Sequence, residues 1–489
     1  MTDPLAVLSL AVAAGGGVVD DVEAQRLVAA GVALLQRSAT VVRALRGRRA
    51  AILLPTSAAN LTARGACEGR GAVVVNPLAA PPEIAHQLAD ADVGAVFTIA
   101  ALAGRVPGDV LRVLLDDAPR TARVVAPDGT STQVVLTSAF ALDLVGSTET
   151  PGLEEEAAVV YTSAMAGRPL GAILTHANVL SNARATVDMA GLRPDDHSLA
   201  LLPFAHLFGL VVSAVAPLLA GGRVTTMARF NPIRAAELLV DGGITFFVGV
   251  PSVFIGVLAA LERREAVPGG RPIGALRTCI CGGAPLAPEI QDRWAAAAGL
   301  ELRQGYGLTE AGPVCLFNRV DAPNRRGTLG TPFPGVELSI RAIDGDAAVA
   351  PGEAGELWVR GPNVSPGYVR TPDPGNDPWG AGLPRRDGWL RTGDVVAAQA
   401  DGAIAFRGVH KPMFTRNGFN IYPREIEDAV LALDGVEGAR VRQIPEPTKE
   451  NDIALDVRAR GLTVDDVRAW CAARLALYKQ PTEITMDPA

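Results

Sequence analysis

Short hydrophobic runs alternate with stretches of helical periodicity over the first part of the chain. The runs at 50–55, 71–77 and 93–99 are almost entirely apolar and predict buried strands. Residues 25–37 and 81–92 repeat apolar side chains at helical spacing, which predicts amphipathic helices between those strands. Buried strands spaced by helices indicate an α/β sheet with helices on its faces.

The pattern changes after about residue 325. Segments 335–343 and 355–362 predict short strands between turns rich in glycine and proline, and 371–388 predicts a surface loop. The remainder predicts a small terminal unit. Its expected elements are a strand pair near 403–421, a helix opening at 424–430, a strand near 452–458 and a last helix at 464–478.

The length of 489 residues exceeds the roughly 100–200 residues of a single domain, so we expect more than one domain. The start of the small terminal unit places the boundary at 408–411. It separates a large N-terminal domain, residues 1–407, from a small C-terminal domain, residues 412–489. The predicted fold class is therefore α/β, with a small α+β unit at the C-terminal end.

Composition narrows the range of functions. A hydrophobic fraction of 48% supports a large core and argues against a disordered chain. The net charge of -7 argues against a nucleic-acid binder, because neutralising phosphates needs clustered lysine and arginine. Five scattered cysteines without a CxxC pair favour reduced thiols and a cytoplasmic location. The apolar start, 4–19, follows Asp3 rather than a basic residue, which disfavours a secretion signal, and no later run predicts a membrane span.

Three glycine-containing segments carry candidate chemistry. Residues 161–176 run from a strand end through a small-residue loop into a helix, where backbone N–H groups can cradle phosphate, although an ordinary turn has the same pattern. In RQGYGLTE, 303–310, a flat base can stack on Tyr306 and Glu310 can hold a magnesium ion. In the RTGDV segment, Asp394 can accept two ribose hydroxyl groups, with a solvated turn residue as the alternative.

In this order and spacing, the motifs resemble those of the adenylate-forming superfamily, which includes acyl-CoA ligases, peptide-synthetase adenylation domains and luciferases. The segments that carry the resemblance are LPFAHLFG (202–209), CGGAPL (281–286), GYGLTE (305–310), GELWVRGP (355–362), RTGD (391–394) and GFNIYPREIE (418–427). The resemblance implies a large domain of α/β subdomains with a small β-barrel-like subdomain. It also implies a mobile α+β lid, which turns about a hinge at Lys411 between an adenylating and a thioester-forming pose.

The resemblance also implies roles for individual residues. Thr309 is expected at the α-phosphate, Glu310 at the metal, and His206 at the carboxylate end of the acyl pocket, where a structural histidine is the alternative. The residues implied for the AMP and CoA moieties are Gly283, Ala284, Pro285, Gly305, Tyr306, Gly307, Thr309, Asp394, Gly418 and Tyr478. The residues implied for the acyl group are His206, Phe208, Gly209, Gly307 and Leu308.

The chain departs from the family pattern where the β- and γ-phosphates of ATP would bind. The family's phosphate loop has a glycine, two hydroxyl side chains and a lysine at four positions. This chain has, at those positions, Ala164, Met165, Ala166 and Leu170. Arg168 is the cation that remains in the loop. The family's terminal lysine, which bridges the carboxylate and the α-phosphate during adenylation, has no expected counterpart among the three lysines of this sequence, Lys411, Lys449 and Lys479.

A third departure concerns the ribose. The family has an arginine after the glycine that precedes the hinge, whereas this chain has Val409 there and Arg407 two positions earlier. Because alternate residues of a strand share one face, Arg407 is a candidate for the same ribose contact, with a surface arginine as the alternative.

The sequence therefore predicts an acyl-CoA ligase-like enzyme, of the acid–thiol ligase type, that converts a preformed acyl-adenylate and CoA into acyl-CoA and AMP. The expected cofactors are CoA and the AMP moiety of the adenylate, with ATP and magnesium only if adenylation is retained. The apolar segments 207–222 and 249–261 predict a roomy pocket for a hydrophobic carboxylic acid. A separate adenylating enzyme is an expected partner. The alternatives are a complete ATP-dependent ligase and a non-catalytic protein that binds acyl-adenylate or nucleotide.

Overall fold

The computed structural model describes residues 18–20, 48–57, 59–61, 63, 71–115, 121–135, 156–162, 169–265, 273–343, 345–369, 385–410, 413–446 and 448–488. Several predictions fall outside these residues: the helix at 25–37, the phosphate loop at 163–168, most of the loop at 371–388 and the hinge at Lys411.

The first sheet of the large domain contains the three apolar runs predicted as strands. Its strands, in spatial order, are β19 (Gly367–Tyr368), β9 (Leu170–Thr175), β8 (Glu156–Thr162), β3 (Ala72–Val74), β2 (Arg49–Ile52), β4 (Val93–Thr98), β5 (Leu111–Leu114), β6 (Thr121–Val125) and β7 (Ser131–Val135). Strands β8, β3, β2, β4 and β5 pair in parallel. Helix α1 (Pro81–Asp90) connects β3 to β4 across the intervening β2, and helix α2 (Ala100–Ala103) connects β4 to its neighbour β5. The predicted helix at 81–92 is confirmed as α1.

The second sheet of the large domain is parallel up to β14. Its strands, in spatial order, are β1 (Val18–Asp20), β11 (Arg223–Thr226), β10 (His197–Ala200), β12 (Phe246–Gly249), β13 (Thr278–Cys281), β14 (Leu302–Gly307), β15 (Val314–Phe317) and β16 (Thr331–Pro332). The helices of this region are α3 (His176–Ala190), a π-helical segment (Phe208–Val215), α4 (Ala216–Leu219), α5 (Pro232–Asp241), α6 (Pro251–Glu265) and α7 (Pro288–Ala298). Parallel pairing brings the carboxyl ends of β10, β12 and β13 to one edge of the sheet.

A third, antiparallel sheet completes the large domain. Its strands are β17 (Glu337–Arg341), β18 (Ala354–Arg360), β20 (Arg385–Arg386), β21 (Trp389–Ala398) and β22 (Ile404–Val409). The strands predicted at 335–343 and 355–362 are confirmed. Because β22 pairs with β21 as far as Val409, the third sheet ends beside the predicted domain boundary.

The small C-terminal domain, called the lid below, comprises residues 413–488 of the described chain and has its own core and sheets. Its elements are β23 (Phe414–Arg416), β24 (Phe419–Ile421), α8 (Pro423–Leu431), β25 (Val436–Glu446), β26 (Glu450–Ala459), α9 (Val464–Arg474), a 3₁₀ turn (Leu477–Lys479) and β27 (Glu483–Pro488). The sequence predicted β26 and both helices. It did not predict β25, in which apolar and polar residues alternate too weakly to indicate a strand. It also did not predict β27, which pairs in parallel with β26.

Helix α3 links the sheets of the large domain to the site. Its N-terminus is capped by Thr175, whose side chain accepts from the Asn178 N–H, while the Asn178 carboxamide accepts from the Thr175 N–H. One turn on, the buried Asn182 amide donates to the Val314 carbonyl oxygen over 2.8 Å. These bonds fix the turn that follows β14, where two of the predicted site residues lie.

The α/β fold class is confirmed. Within the described residues, no helix combines the length and the apolar character needed to cross a membrane.

Candidate active site

A cavity of about 510 Å³ lies between the large domain and the lid. The predicted site residues that line it from the large domain are His206, Phe208, Gly209, Gly283, Ala284, Pro285, Gly305, Tyr306, Gly307, Leu308, Thr309, Glu310 and Asp394. The predicted residues that line it from the lid are Gly418 and Tyr478. Segments separated by more than 200 positions in the sequence therefore meet at one cavity.

A tyrosine and an aspartate from two different sheets meet on the large-domain side. The Tyr306 hydroxyl, at the end of β14, donates to Asp394 Oδ2 over 2.5 Å. Burial and the neighbouring Asp394 carboxylate raise the pKa of Tyr306 well above its ordinary value, so the phenol stays protonated as a donor. The Thr392 hydroxyl accepts from the Asp394 N–H and fixes the turn at Gly393, where φ is +71°. This pair is the candidate binding place for the ribose and the adenine ring.

The segment after β14 turns sharply to present Thr309 and Glu310. A Cβ atom at Gly307 would lie 1.8 Å from the Pro313 carbonyl oxygen, so this approach requires glycine. The Tyr368 hydroxyl donates to Glu310 Oε1 over 3.0 Å, which orients the carboxylate within the cavity lining.

The metal assignment for Glu310 remains a prediction. No group of three or more His, Cys, Asp or Glu side chains in the described part of the chain is arranged to hold a metal ion. Magnesium is commonly held by one or two carboxylates together with substrate phosphates. Glu310 alone therefore fits a magnesium ion only when nucleotide phosphates supply further ligands.

His206 lies in the loop after β10, just before the π-helical segment. Its Nε2 atom is buried and has no hydrogen-bond partner among the described residues. Burial lowers the pKa of His206 to about 4, so the imidazole is neutral at physiological pH. The Phe419 ring of the lid contacts the imidazole edge-on, with 5.0 Å between ring centroids. The histidine thus lies at the contact between the lid and the large domain.

The lid face of the cavity is built around the loop that joins β23 and β24. Phe419 stacks on Tyr478, with 4.1 Å between ring centroids. Gly418 has φ +75°, and a Cβ atom there would lie 2.6 Å from Val250 Cγ1 of the large domain. Arg416 donates to the Tyr478 and Gln480 carbonyl oxygens and holds that segment beside the loop. Close approach of the lid to the large domain therefore requires glycine at 418.

Lys479 joins the lid to the large domain through a buried ion-pair cluster. Its ammonium lies 2.6 Å from Glu83 Oε1 in α1 and 2.5 Å from Glu425 Oε1 in α8. Burial opposes the charged ammonium, but Tyr478, Glu425 and Glu83 outweigh it and raise the pKa of Lys479. Burial raises the pKa of Glu425 despite its pairing with Lys479. The scarcity of lysine in the sequence was the signal that marked this residue, but pattern alone did not show its partners.

Arg407 lies outside the described cavity lining, so the structure does not support the predicted ribose contact. The register between β21 and β22 shifts so that Val395 faces Gly408 and Val396 faces Phe406. Arg407 therefore occupies a bulge, and a bulged residue loses the regular alternation on which the prediction depended. Its side chain is exposed, while Val409 lines the cavity.

The cationic side chains in the described cavity lining are committed to carboxylates. Arg391 lies 2.7 Å from the fully buried Glu356, and Lys479 is held by its two glutamates. Leu170, at the position predicted to have lost a lysine, lines the cavity next to Pro169. The described lining thus offers an AMP moiety hydrogen-bonding groups, but it offers a triphosphate no uncommitted cation.

A smaller apolar subsite of about 60 Å³ adjoins the main cavity behind Phe208. Phe317 and Phe333 line it, and its polar lining residue, Thr186, donates its hydroxyl hydrogen to the Asn182 carbonyl oxygen. The roomy acyl pocket expected from the apolar segments 207–222 and 249–261 stays a prediction, and residues of both segments line the main cavity.

Comparison with known proteins supports the same interpretation. The family model described as "AMP-binding enzyme" matches residues 34–369. The feruloyl-CoA synthase of an Amycolatopsis species is 32% identical over 455 residues, which cover 90% of this chain and 84% of that protein.

Two solved structures place the fold in the same group. A malonyl-CoA ligase in a ternary product complex with methylmalonyl-CoA and AMP has a TM-score of 0.79 at 27% identity, covering 97% of this chain and 96% of that one. The ATP-bound MatB of Rhodopseudomonas palustris has a TM-score of 0.67 at 27% identity, covering 96% and 91%. Sequence, fold and cavity agree, and the chain belongs to the AMP-binding enzyme family, the adenylate-forming superfamily that includes its acyl-CoA ligase relatives.

Proposed function

We propose that this protein is an acid–thiol ligase that performs the thioester-forming half-reaction, taking a preformed acyl-adenylate and CoA to acyl-CoA and AMP. The cavity lining is the observation that carries this proposal. Tyr306, Asp394 and Glu310 supply an AMP moiety with ordered hydrogen-bonding groups, whereas the described cations are paired with carboxylates. Adenylation needs charge at the β- and γ-phosphates, and thioester formation does not.

The sequence of the phosphate loop supports the same division. Its composition lacks the hydroxyl side chains and the lysine that grip a triphosphate, with Ala164, Met165, Ala166 and Leu170 in their places. Removing one preorganised donor typically slows a reaction about 10²–10³-fold. Losing several donors from one half-reaction is therefore expected to leave adenylation far slower than thioester formation.

The pose of the lid also favours the second half-reaction. At equal identity, the fold superposes better on the ligase with methylmalonyl-CoA and AMP bound than on the ATP-bound relative, with TM-scores of 0.79 and 0.67. In this pose Phe419 and Gly418 reach the large domain at His206 and Val250. In the proposed reaction the thiol attacks the acyl carbonyl carbon beside this lid loop.

Within this site, the roles of the residues follow from their chemistry. Asp394 and Tyr306 hold the AMP moiety, which is already a good leaving group. The neutral imidazole of His206 offers an N–H group to the charge that develops on the carbonyl oxygen. The apolar subsite around Phe317 and Phe333 favours an uncharged acyl group, either aryl or aliphatic, because the described lining has no charged side chain there.

The experiment that tests this proposal supplies the two half-reactions separately. One tube contains ferulate, ATP, magnesium and CoA; a second contains synthetic feruloyl-adenylate and CoA, with octanoyl- and benzoyl-adenylate as further substrates. Thioester in the second tube alone is the expected result. Thioester at equal rates in both tubes would contradict the proposal, and binding of adenylate without turnover would favour a non-catalytic binding protein.

A complete ATP-dependent ligase is the second candidate. The similarity to the feruloyl-CoA synthase of Amycolatopsis, at 32% identity over 90% of this chain, favours it. Arg168 is the cation that would then replace the loop lysine. Under the first proposal, by contrast, a separate adenylating enzyme has to supply the acyl-adenylate.

A further inference from the structure

The strand that carries Asp394 departs from regular pairing just before this residue. Strands β18 and β21 pair regularly as far as Glu356 and resume at Trp358, so residues 392–394 of β21 lie opposite the single residue 357 of β18. Extra residues in one strand break the ladder of backbone hydrogen bonds locally and re-aim the side chains that they carry. Asp394 is the last residue of this bulge, and it lines the cavity.

A buried carboxylate takes the place of the missing ladder partner. Glu356 is fully buried, and its Oε1 atom accepts from the N–H of Gly393, in the middle of the bulge, over 3.1 Å. The Nε and Nη2 atoms of Arg391 donate to Glu356 Oε2 over 3.1 and 2.7 Å. A buried N–H group without an acceptor is costly, so the carboxylate stabilises an otherwise unfavourable turn. It holds β21 at two positions, one on each side of Thr392.

Two neighbours of Glu356 in β18 hold the same turn. The Thr392 hydroxyl donates to the Leu357 carbonyl oxygen over 2.8 Å. The Arg391 guanidinium also lies over the buried Trp358 ring, 5.2 Å from its centroid. Three consecutive residues of β18 therefore hold the segment that leads to Asp394, and Glu356 is the one that contributes a charged side chain.

Glu356 acts on the backbone of the turn rather than on the ligand. It lies outside the described cavity lining, whereas Asp394 lies within it. The Tyr306 hydroxyl bonds to the Asp394 carboxylate itself, and the Thr392 hydroxyl accepts from the Asp394 N–H. A binding group has to be held within about 0.5 Å of its productive position by the residues behind it. The contact at Gly393 is the support that reaches this turn from behind.

From this geometry we infer that Glu356 is a positioning residue for AMP, which holds the bulge of β21 in the shape that presents Asp394 to the ribose. The inference deepens the AMP site of the proposed function and rests on the ribose contact proposed there for Asp394. Without the Glu356 carboxylate, the Gly393 N–H loses its acceptor and the turn gains alternative conformations. Asp394 then spends less time in the orientation that binds ribose.

The first test is calorimetric titration of Glu356→Gln with AMP. Glutamine keeps the size of the side chain but gives up the charge that holds Arg391. We expect the Kd for AMP to rise about tenfold, in line with the loss of a hydrogen bond to a charged group. Glu337→Gln is the matched control, because Glu337 forms an exposed ion pair with Arg360 in the same sheet, and it should leave the Kd unchanged. Each titration is made below the melting temperature of the variant, so loss of folding does not enter the result.

A double-mutant cycle separates positioning of Asp394 from a general loss of structure. If Glu356 acts through Asp394, Glu356→Gln should raise the Kd for AMP less than about twofold when Asp394→Asn is already present. A tenfold rise in both backgrounds would overturn the inference, because it would show that Glu356 supports the domain as a whole. An AMP affinity of Glu356→Gln equal to that of the unmodified protein would also overturn it.

Kinetics with acyl-adenylate and CoA add a second distinction. The probe is whichever of feruloyl-, benzoyl- and octanoyl-adenylate the unmodified protein uses fastest. We expect Glu356→Gln to raise KM for the adenylate about tenfold and to keep kcat within about threefold, because the ribose contact is the same before and during the reaction. A fall in kcat at unchanged KM would overturn the inference.

Failure of the inference is distinguishable from failure of the proposed function. Any of the contrary results with Glu356→Gln leaves the thioester-forming half-reaction standing. An unmodified protein that binds AMP but forms no thioester would overturn the proposed function, and the AMP titrations would still decide the role of Glu356. An unmodified protein that does not bind AMP would overturn both.

Discussion

The two faces of the active-site cavity are organised in different ways. On the large-domain face, Asp394 and Glu310 are each held by a tyrosine hydroxyl from another part of the same domain. On the lid face, the contacts run between domains: the Phe419 ring meets His206, and Lys479 meets Glu83. The groups proposed to hold AMP are thus oriented by contacts within the large domain, whereas the contacts at His206 and Lys479 need the lid.

This difference matches the two half-reactions. Under the proposed function, an adenylate binds to the fixed face, and the thiol reacts when Gly418 lies against Val250. The described cavity adds no uncommitted cation for pyrophosphate on either face. The following substitutions distinguish the faces, and they are ordered from the largest expected effect.

Asp394→Ala removes the carboxylate at the centre of the fixed face. We expect kcat/KM for acyl-adenylate to fall about 10³-fold, because two charge-assisted hydrogen bonds to the ribose are lost. Steady-state kinetics with acyl-adenylate and CoA measures this. The exposed lid carboxylate Asp434, changed to Asn, is the control, and an equal loss in both variants would refute a specific role for Asp394.

Lys479→Met removes the cation shared by the two domains. We expect the free energy of unfolding to fall by about 3–5 kcal/mol, because Glu425 is left buried without its partner. Denaturant unfolding followed by circular dichroism measures the change.

Glu83→Gln is the matched variant. It weakens the contact of Lys479 with the large domain and keeps the ion pair between Lys479 and Glu425 within the lid. It should slow thioester formation and leave the stability of the lid nearly unchanged. Equal destabilisation by Lys479→Met and Glu83→Gln would contradict this separation between a contact that joins the domains and an ion pair that stabilises the lid.

His206, which lies between the two faces of the cavity, is expected to make the stability of the protein depend on pH. Burial lowers its pKa to about 4, whereas an unfolded histidine has a pKa of about 6.5. As pH falls from about 6.5 to about 4, the unfolded state binds a proton that the folded state refuses, so stability present above the unfolded pKa is lost.

The loss attributable to His206 is on the order of 3 kcal/mol. We therefore expect His206→Asn to reduce the loss of stability on acidification by about that amount. Thermal melts at several pH values measure it. The exposed His410, changed to Asn, should leave the limb unchanged. An acid limb of the same slope in all three proteins would contradict the assignment.

Tyr306→Phe tests the fixed face with the smallest change. The ring remains for the adenine base, and the hydroxyl that orients Asp394 is lost. We expect about a tenfold fall in kcat/KM for acyl-adenylate, in line with the net contribution of one hydrogen bond to a charged group. An unchanged KM and kcat would show that Asp394 is oriented by Thr392 alone.

The sequence predicted the fixed face better than the closing face. GYGLTE and RTGD carry enough local chemistry for Tyr306, Glu310 and Asp394 to be assigned from their sequence motifs. The position of Arg407 could not be predicted, because a bulge in β22 breaks strand alternation and leaves no mark in the sequence. The partners of Lys479 and of Glu356 lie in distant segments, which local patterns do not encode.

The most direct measurement compares the two half-reactions in one preparation. Acid-dependent exchange of labelled pyrophosphate into ATP reports adenylation, and single-turnover release of AMP from acyl-adenylate with CoA reports thioester formation. The two-faced site predicts that thioester formation is faster by at least about 10⁴-fold, the combined effect of several lost phosphate donors. Exchange at a rate comparable with thioester formation would contradict the proposed division and identify a complete ATP-dependent ligase.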